Sequence, residues 1–217
     1  MKKWTFGMML ALLLPLVACG GKTGKAEGAA ETEGAPVADK NVVVETLLTR
    51  RSVRKYQPQP VGREQMQVIV DCGIHAPNAM NKQPWEIRVV DNPEFIDGVT
   101  ALFRREKPEM AADPNFKNMF RNAPTVVFVG HEVASPTSAF DCGLLSENMM
   151  VAAWSMGIGS CCLGSPAAFM RSPVAAEYLK RLEFSEGYEL LYCIAFGYPD
   201  ETPAAKPRDA AKVKFVE

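Results

Sequence analysis

Two stretches of this chain are apolar without alternation, and they limit the fold more than anything else in it. Thr125-Val-Val-Phe-Val-Gly130 follows Pro124, and Leu190-Leu-Tyr-Cys-Ile-Ala-Phe196 stands near the C-terminus. A strand with one face in water alternates apolar and polar residues, whereas a run with no polar face reads as a strand covered on both sides. Two such strands need helices on both faces of the sheet, and the intervening sequence supplies candidates. Met66, Ile69, Val70 and Ile74 share one helical face, as do Phe95, Ile96, Val99, Leu102 and Phe103, and Cys142, Leu145, Met149, Ala153 and Met156 line a long helix that ends at Gly157 and Gly159. Trp85 to Val90 alternates as a strand does, Val44, Leu47 and Leu48 mark a short first helix, and Val213 with Phe215 suggests a last strand. Ser165-Pro166 and Ser172-Pro173 each read as a Ser cap followed by Pro at the first helical position. The expected architecture is α+β, with a mixed central sheet flanked by helices.

The beginning of the chain belongs to none of this. Lys2 and Lys3 precede a 13-residue apolar run, Phe6 to Ala18, which is too short to span a bilayer and has the length of a signal-peptide core. The run closes in Leu16-Val17-Ala18-Cys19-Gly20, which resembles the lipobox of bacterial lipoproteins. That resemblance implies cleavage before Cys19, lipidation of Cys19 and a lipid bilayer as a partner. Residues 19–40 are Gly, Ala, Glu, Lys and Thr with almost no apolar side chain, a composition expected to form a flexible tether. The expected organisation is a signal peptide at 1–18, a lipidated tether at 19–40 and one domain at 41–217, placed in the bacterial cell envelope at the periplasm or cell surface.

Composition then excludes several functions. Of 24 basic and 25 acidic residues, five basic and four acidic ones precede residue 41, leaving 19 and 21 in the domain. A domain near −2 has no electrostatic footprint for nucleic acid. Two histidines far apart, His75 and His131, and six scattered cysteines give neither a metal site nor a disulfide scaffold. Adjacent Cys161 and Cys162 read as small residues filling a turn, since vicinal cysteines are poorly placed to bridge. No glycine-rich dinucleotide or phosphate loop occurs, and no nucleophile, base or metal is evident, so hard chemistry would fall to an organic cofactor.

Arg50, Arg51, Arg54 and Lys55 cluster around Ser52, where guanidinium forks and a hydroxyl suit a phosphate; the plainer reading is a set of cations favoured at a helix C-terminus. Lys206-Pro207-Arg208 adds charge in a distant tail. Between them, Ala76-Pro77-Asn78-Ala79-Met80-Asn81-Lys82-Gln83-Pro84-Trp85 offers three amides and an aromatic ring, suited either to the edge of a heterocycle or simply to turns before a strand. Residues 104–122, including Phe116, Met119 and Phe120, read as a cap over a ligand face or as a surface helix.

Taken in order, Arg-Arg-Ser-Val-Arg-Lys-Tyr, Pro-Asn-Ala-Met-Asn-Lys-Gln-Pro-Trp, Met-Gly-Ile-Gly-Ser-Cys-Cys-Leu-Gly, Gly-Tyr-Pro and Lys-Pro-Arg resemble the FMN-dependent nitroreductase family across nearly all of residues 42–217. The resemblance implies an interlocked homodimer with FMN at the interface. Arg50, Arg51, Ser52 and Arg54 match its phosphate and ribityl motif, joined by Lys206 and Arg208. Pro77, Asn78, Ala79 and Asn81 match a loop presented by the partner subunit, with Ala79 standing where some members carry Ser. Ser160, Cys161, Cys162, Leu163 and Gly164 match the segment along the flavin ring, where a backbone N–H is expected near flavin N5; Leu163 stands where some members carry Glu. The implied activity is ping-pong transfer through FMN to a small electron-poor acceptor, a nitroaromatic or quinone, with no catalytic side chain. NAD(P)H is the family's donor, but the cell envelope is not expected to supply it, which leaves a noncatalytic flavin-binding lipoprotein or redox sensor as the alternative.

Overall fold

The computed structural model describes residues 41–217. Its helices are α1 (Val42–Thr49), α2 (Arg63–Ile74), α3 (Pro93–Glu106), α4 (Ser138–Ser155), α5 (Gly164–Met170) and α6 (Ala176–Lys180), and its strands are β1 (Trp85–Val90), β2 (Thr125–Glu132), β3 (Gly159–Leu163) and β4 (Tyr188–Gly197). The signal peptide, tether and Cys19 lie outside the described residues.

The two unbroken apolar runs form the central strands. The sheet order is β1-β2-β4-β3, and all three pairings are antiparallel. The mixed character expected of the sheet rests on one parallel bridge, Ser52 to Ser160, at the β3 edge. Alternate residues of the central strands supply opposite faces: Val126, Phe128, Cys193 and Ala195 join α3's Phe95, Val99 and Phe103, while Val127, Val129, Ile194 and Phe196 join Ile69 of α2 and Leu145 and Met149 of α4. Burial on both sides explains why neither run alternates.

Close approaches then fix the site-bearing edge. Gly157 ends α4 at φ 74, a left-handed conformation that glycine adopts without steric cost. At Gly159 an added Cβ would lie 2.8 Å from Cβ of Val53, so the bare backbone lets segment 50–56 lie along β3. His75 and His131 occupy a helix end and the end of β2.

Several local expectations fail for identifiable reasons. Cys161 and Cys162 lie in strand β3 rather than in a turn, because β4 pairs with them at Ala195 and Ile194. Ser165 falls inside α5, whose cap is Leu163, whereas Ser172 does precede a short 3-10 turn. Val213 and Phe215 form no strand, since no neighbour offers them an edge, and Phe215 is 94% exposed. Beyond Glu106, residues 107–122 are turns rather than helix. Helix α1 forms, capped by Asn41, whose side chain accepts the N–H groups of Val43 and Val44, yet Val42 is 68% and Leu48 72% exposed. Its apolar stripe has no cover among the described residues.

Candidate functional site

A cavity of about 940 Å³ opens between the β3–α5 junction and residues 113–122. One wall is Cys161 through Pro166, the facing wall is the turn segment, and Arg54, Lys55, Tyr56, Asp200 and Glu201 close the side between them. The closure is built by backbone pairing. The N–H of Val53 donates to the Ser160 carbonyl at 3.0 Å, that of Gln57 to Tyr198 at 2.9 Å and that of Asp200 to Lys55 at 2.9 Å. The Arg54 N–H donates to a Glu201 carboxylate oxygen. An arginine-rich segment near the start of the chain and a Gly-Tyr-Pro segment near its end are thereby stitched to one sheet edge.

The structure separates the expected site residues into two groups. Arg54, Cys161, Cys162, Leu163 and Gly164 line the cavity, and the buried Ser160 joins them through the Ser52 bridge. Arg50, Arg51, Ser52, the 77–81 loop, Lys206 and Arg208 do not line it. Arg50 caps α1 and pairs with Glu147 at 3.1 Å, while Arg51 donates to the carbonyls of Leu48 and Arg50 at 2.8 Å. Pro77 precedes a loop in which the Ala79 N–H donates to buried Asp141 at 3.3 Å and the Gln83 N–H donates to Asn78 at 2.8 Å. Met80, Asn81 and Gln83 there have φ values of 53, 53 and 50°, and Met80 projects into solvent. Lys206 and Arg208 stand in an exposed tail, where, among the described residues, Arg208 donates to the Lys206 carbonyl alone.

Lys55, named with the arginine cluster in the sequence, does line the cavity, whereas the sequence does not single out Tyr56, Arg121, Asp200 and Glu201 as parts of the site, or Asp141 as the anchor of the amide loop. Tyr56 was visible only as the last residue of the first motif. Arg121 carried no signal, because its place depends on contacts within a turn. Burial, then neighbouring Cys161 and Glu201, push the Tyr56 hydroxyl far above its usual range, and the Arg54 and Arg121 charges oppose that shift. Tyr56 O–H donates to the Val53 carbonyl, so it serves as a neutral wall and not as a base.

The cavity lining, with Arg54, Lys55 and Arg121 beside the open end of β3, fits an anionic, planar cofactor. Among the described residues Arg51, Arg54, Lys206 and Arg208 make no ion pair with a carboxylate, so their charge is available to an anion. Gly164 faces open space, with no atom within 4 Å of where a Cβ would stand, which leaves the end of β3 open for a ring to approach. Among the described residues no group of three or more His, Cys, Asp or Glu side chains could hold a metal ion.

Comparison with known proteins accounts for this arrangement. The pattern of the nitroreductase family matches residues 47–198. The NADPH-flavin oxidoreductase of Vibrio harveyi is 29% identical over 182 residues, covering 82% of this chain and 74% of that protein. Among solved structures, an FMN-bound nitroreductase from Desulfitobacterium hafniense superposes with a TM-score of 0.73 at 27% identity, covering 82% of this chain and 99% of its own. A second FMN-bound nitroreductase, from Bacteroides fragilis, does so with a TM-score of 0.70 at 27% identity, covering 82% of this chain and all of its own.

Proposed function

The chain belongs to the nitroreductase family, and on that premise we propose that it is an FMN-dependent oxidoreductase, lipid-anchored in the bacterial cell envelope through Cys19, that reduces a small electron-poor acceptor. The observation that carries this reading is the meeting of Arg54 with the 160–164 edge across one cavity, on a fold shared with FMN-bound nitroreductases.

When bound, FMN supplies two-electron redox chemistry between a donor and an acceptor that occupy the same face in turn. The chain's own residues bind, orient and shield. Arg51, Ser52, Lys206 and Arg208 would hold the phosphate, with Arg50 beside them once it turns from Glu147, and Arg54 would hold the cofactor from the cavity side. The backbone from Ser160 to Gly164, along β3 and its end, would line the ring, where an N–H donor would favour the charge that accumulates on reduction. Leu163 and Tyr56, both buried in the cavity wall, would help exclude water from it. No side chain acts as acid or base.

Half of this constellation points away from the cavity, which supports a homodimer. The exposed stripe of α1, the Pro77–Asn81 loop and the 201–217 tail would each find a surface on a second copy, which would then supply its amide loop to the cofactor. Anchoring places the enzyme away from the cytoplasmic NAD(P)H pool, so its donor is a membrane quinol or a partner flavoprotein. None of the described helices is long and apolar enough to cross a membrane; the proposed anchor, the lipid on Cys19, rests on the Leu16-Val17-Ala18-Cys19-Gly20 sequence alone.

The test is direct. Purified protein should carry flavin absorbance, and anaerobic addition of a quinol should bleach it where NADH and NADPH serve as comparison donors. Arg50→Ala combined with Arg208→Ala should release the flavin; full retention would sink the phosphate assignment. If flavin is present but dithionite followed by a nitroaromatic or quinone gives no turnover, the enzymatic reading fails. Cys19→Ser should abolish fatty-acid labelling and membrane sedimentation.

A further inference from the structure

The wall of the cavity facing β3 is a built feature. Asn122 Oδ1 accepts the N–H groups of Lys117 at 2.8 Å and Asn118 at 3.0 Å, while its amide donates to the Asn115 carbonyl at 2.8 Å. Asn118, itself buried, accepts the Phe120 N–H at 2.9 Å and donates to the Ala123 carbonyl at 3.1 Å. From α3, Arg104 donates to the carbonyls of Phe116 and Lys117 at 2.9 and 3.0 Å. The knot holds two consecutive non-glycine residues, Arg121 and Asn122, at φ 60 and 61°, a region that L-residues avoid unless their surroundings impose it.

That turn presents Arg121 to the cavity. The residue is exposed and, among the described residues, makes no ion pair. The lining keeps a small positive excess, with the cations Arg54, Lys55, Lys117 and Arg121 against the acids Asp113, Asp200 and Glu201; Asp113 accepts the Asn115 N–H at 2.8 Å and Glu201 the Arg54 N–H. Beside the turn, the rings of Phe103 and Phe116 stack at 5.9 Å with 19° between their planes. The cavity's 940 Å³ stands near the top of the roughly 300–1,000 Å³ range of ligand pockets, which leaves room for an acceptor beside a cofactor ring.

Resting on the oxidoreductase reading above, we propose that Arg121 is the acceptor-selecting residue and that the acceptor is a planar aromatic molecule bearing a carboxylate or similar anionic substituent. The guanidinium takes the anion in a charge-assisted hydrogen bond, and the ring lies against the Phe103–Phe116 wall. A neutral ring of the same shape keeps the apolar contact and loses the ionic one.

Calorimetric titration of the full purified protein with 4-nitrobenzoate and with its methyl ester tests this without turnover. The acid should bind more tightly than the ester. Arg121→Gln should weaken the acid roughly tenfold, about 1.4 kcal/mol, leave the ester unchanged and leave the flavin content unchanged. Lys117→Gln, on the same wall, should change the acid less than threefold. Absence of binding by either compound, equal binding in the unsubstituted protein, an equal loss of both on Arg121→Gln, or a larger effect at Lys117 would overturn the assignment. So would loss of flavin from Arg121→Gln, because Arg121 would then be a cofactor ligand. If the unsubstituted protein carries no flavin but the Arg121-dependent preference persists, the oxidoreductase reading falls and this anion site stands.

Discussion

The two walls of the cavity and the outward-facing α1, amide loop and tail carry the same kinds of residue, yet they are held in opposite ways. Arg54 and Leu163 are fixed by sheet pairing and by a hydrophobic core that includes Phe120, Phe128 and Phe196, all fully buried. Lys206, Arg208 and Phe215 are fixed by almost nothing within the protomer. The contrast teaches that this chain finishes its core alone, while the proposed cofactor residues outside the cavity gain little from the rest of the described protomer. An apolar helix stripe is costly to leave in water, while the cationic tail is well solvated and gains only when an anion meets it; on the reading proposed above, assembly around a phosphorylated cofactor supplies both.

Phe120→Ala bears hardest on this contrast. Phe120 packs edge-on against Phe128 with ring centroids 5.6 Å apart, and its removal should cost about 3–5 kcal/mol, read as a lower urea midpoint. A cost near zero would mean that the core is not self-sufficient. Next is Gly159→Ala, whose methyl group would push on the stiff, β-branched Val53. It should cost about 1–3 kcal/mol and lower flavin content together with stability, because the same contact holds segment 50–56 against β3.

Alkaline pH should act on the core side alone. Burial, reinforced by the Asp141 charge, pushes the Cys142 thiol from an ordinary 9 up to about 12. Burial likewise raises Cys193. The unfolded thiols release protons above pH 9 while the folded ones keep theirs, so stability is unaffected below pH 9 and falls as pH rises beyond it. The loss is at most about 1.4 kcal/mol per pH unit for each group, seen as a falling urea midpoint between pH 9 and 11. Cys142→Ala should make that slope shallower by one group's share, leaving the Cys193 contribution in place. The smallest effect is expected at the tail, where Lys206→Ala with Arg208→Ala should leave flavin-free protein within about 0.5 kcal/mol of its original stability while flavin retention drops. A large change in the flavin-free protein would erase the distinction between the two regions.

Most of the architecture was readable before folding. Unbroken apolar runs marked β2 and β4, the 3.6-residue stripe of Phe95, Ile96, Val99 and Phe103 marked α3, and the glycines after Met156 marked the end of α4. These signals are local: periodicity and backbone preference act within a few residues, so the residues themselves reveal them. The motifs around Arg50, Asn81, Cys161 and Lys206 could likewise be named from their order along the chain. Their division could not. Arg54 faces the cavity while Arg50 turns to Glu147, Cys161 and Cys162 extend as strand rather than turn, and Arg121 reaches the site on a knot tied by Asn118 and Asn122. Each of these depends on a strand edge, a carboxylate or a carbonyl brought in by packing. Such partners belong to the assembled chain, and periodicity along a single segment carries no record of them.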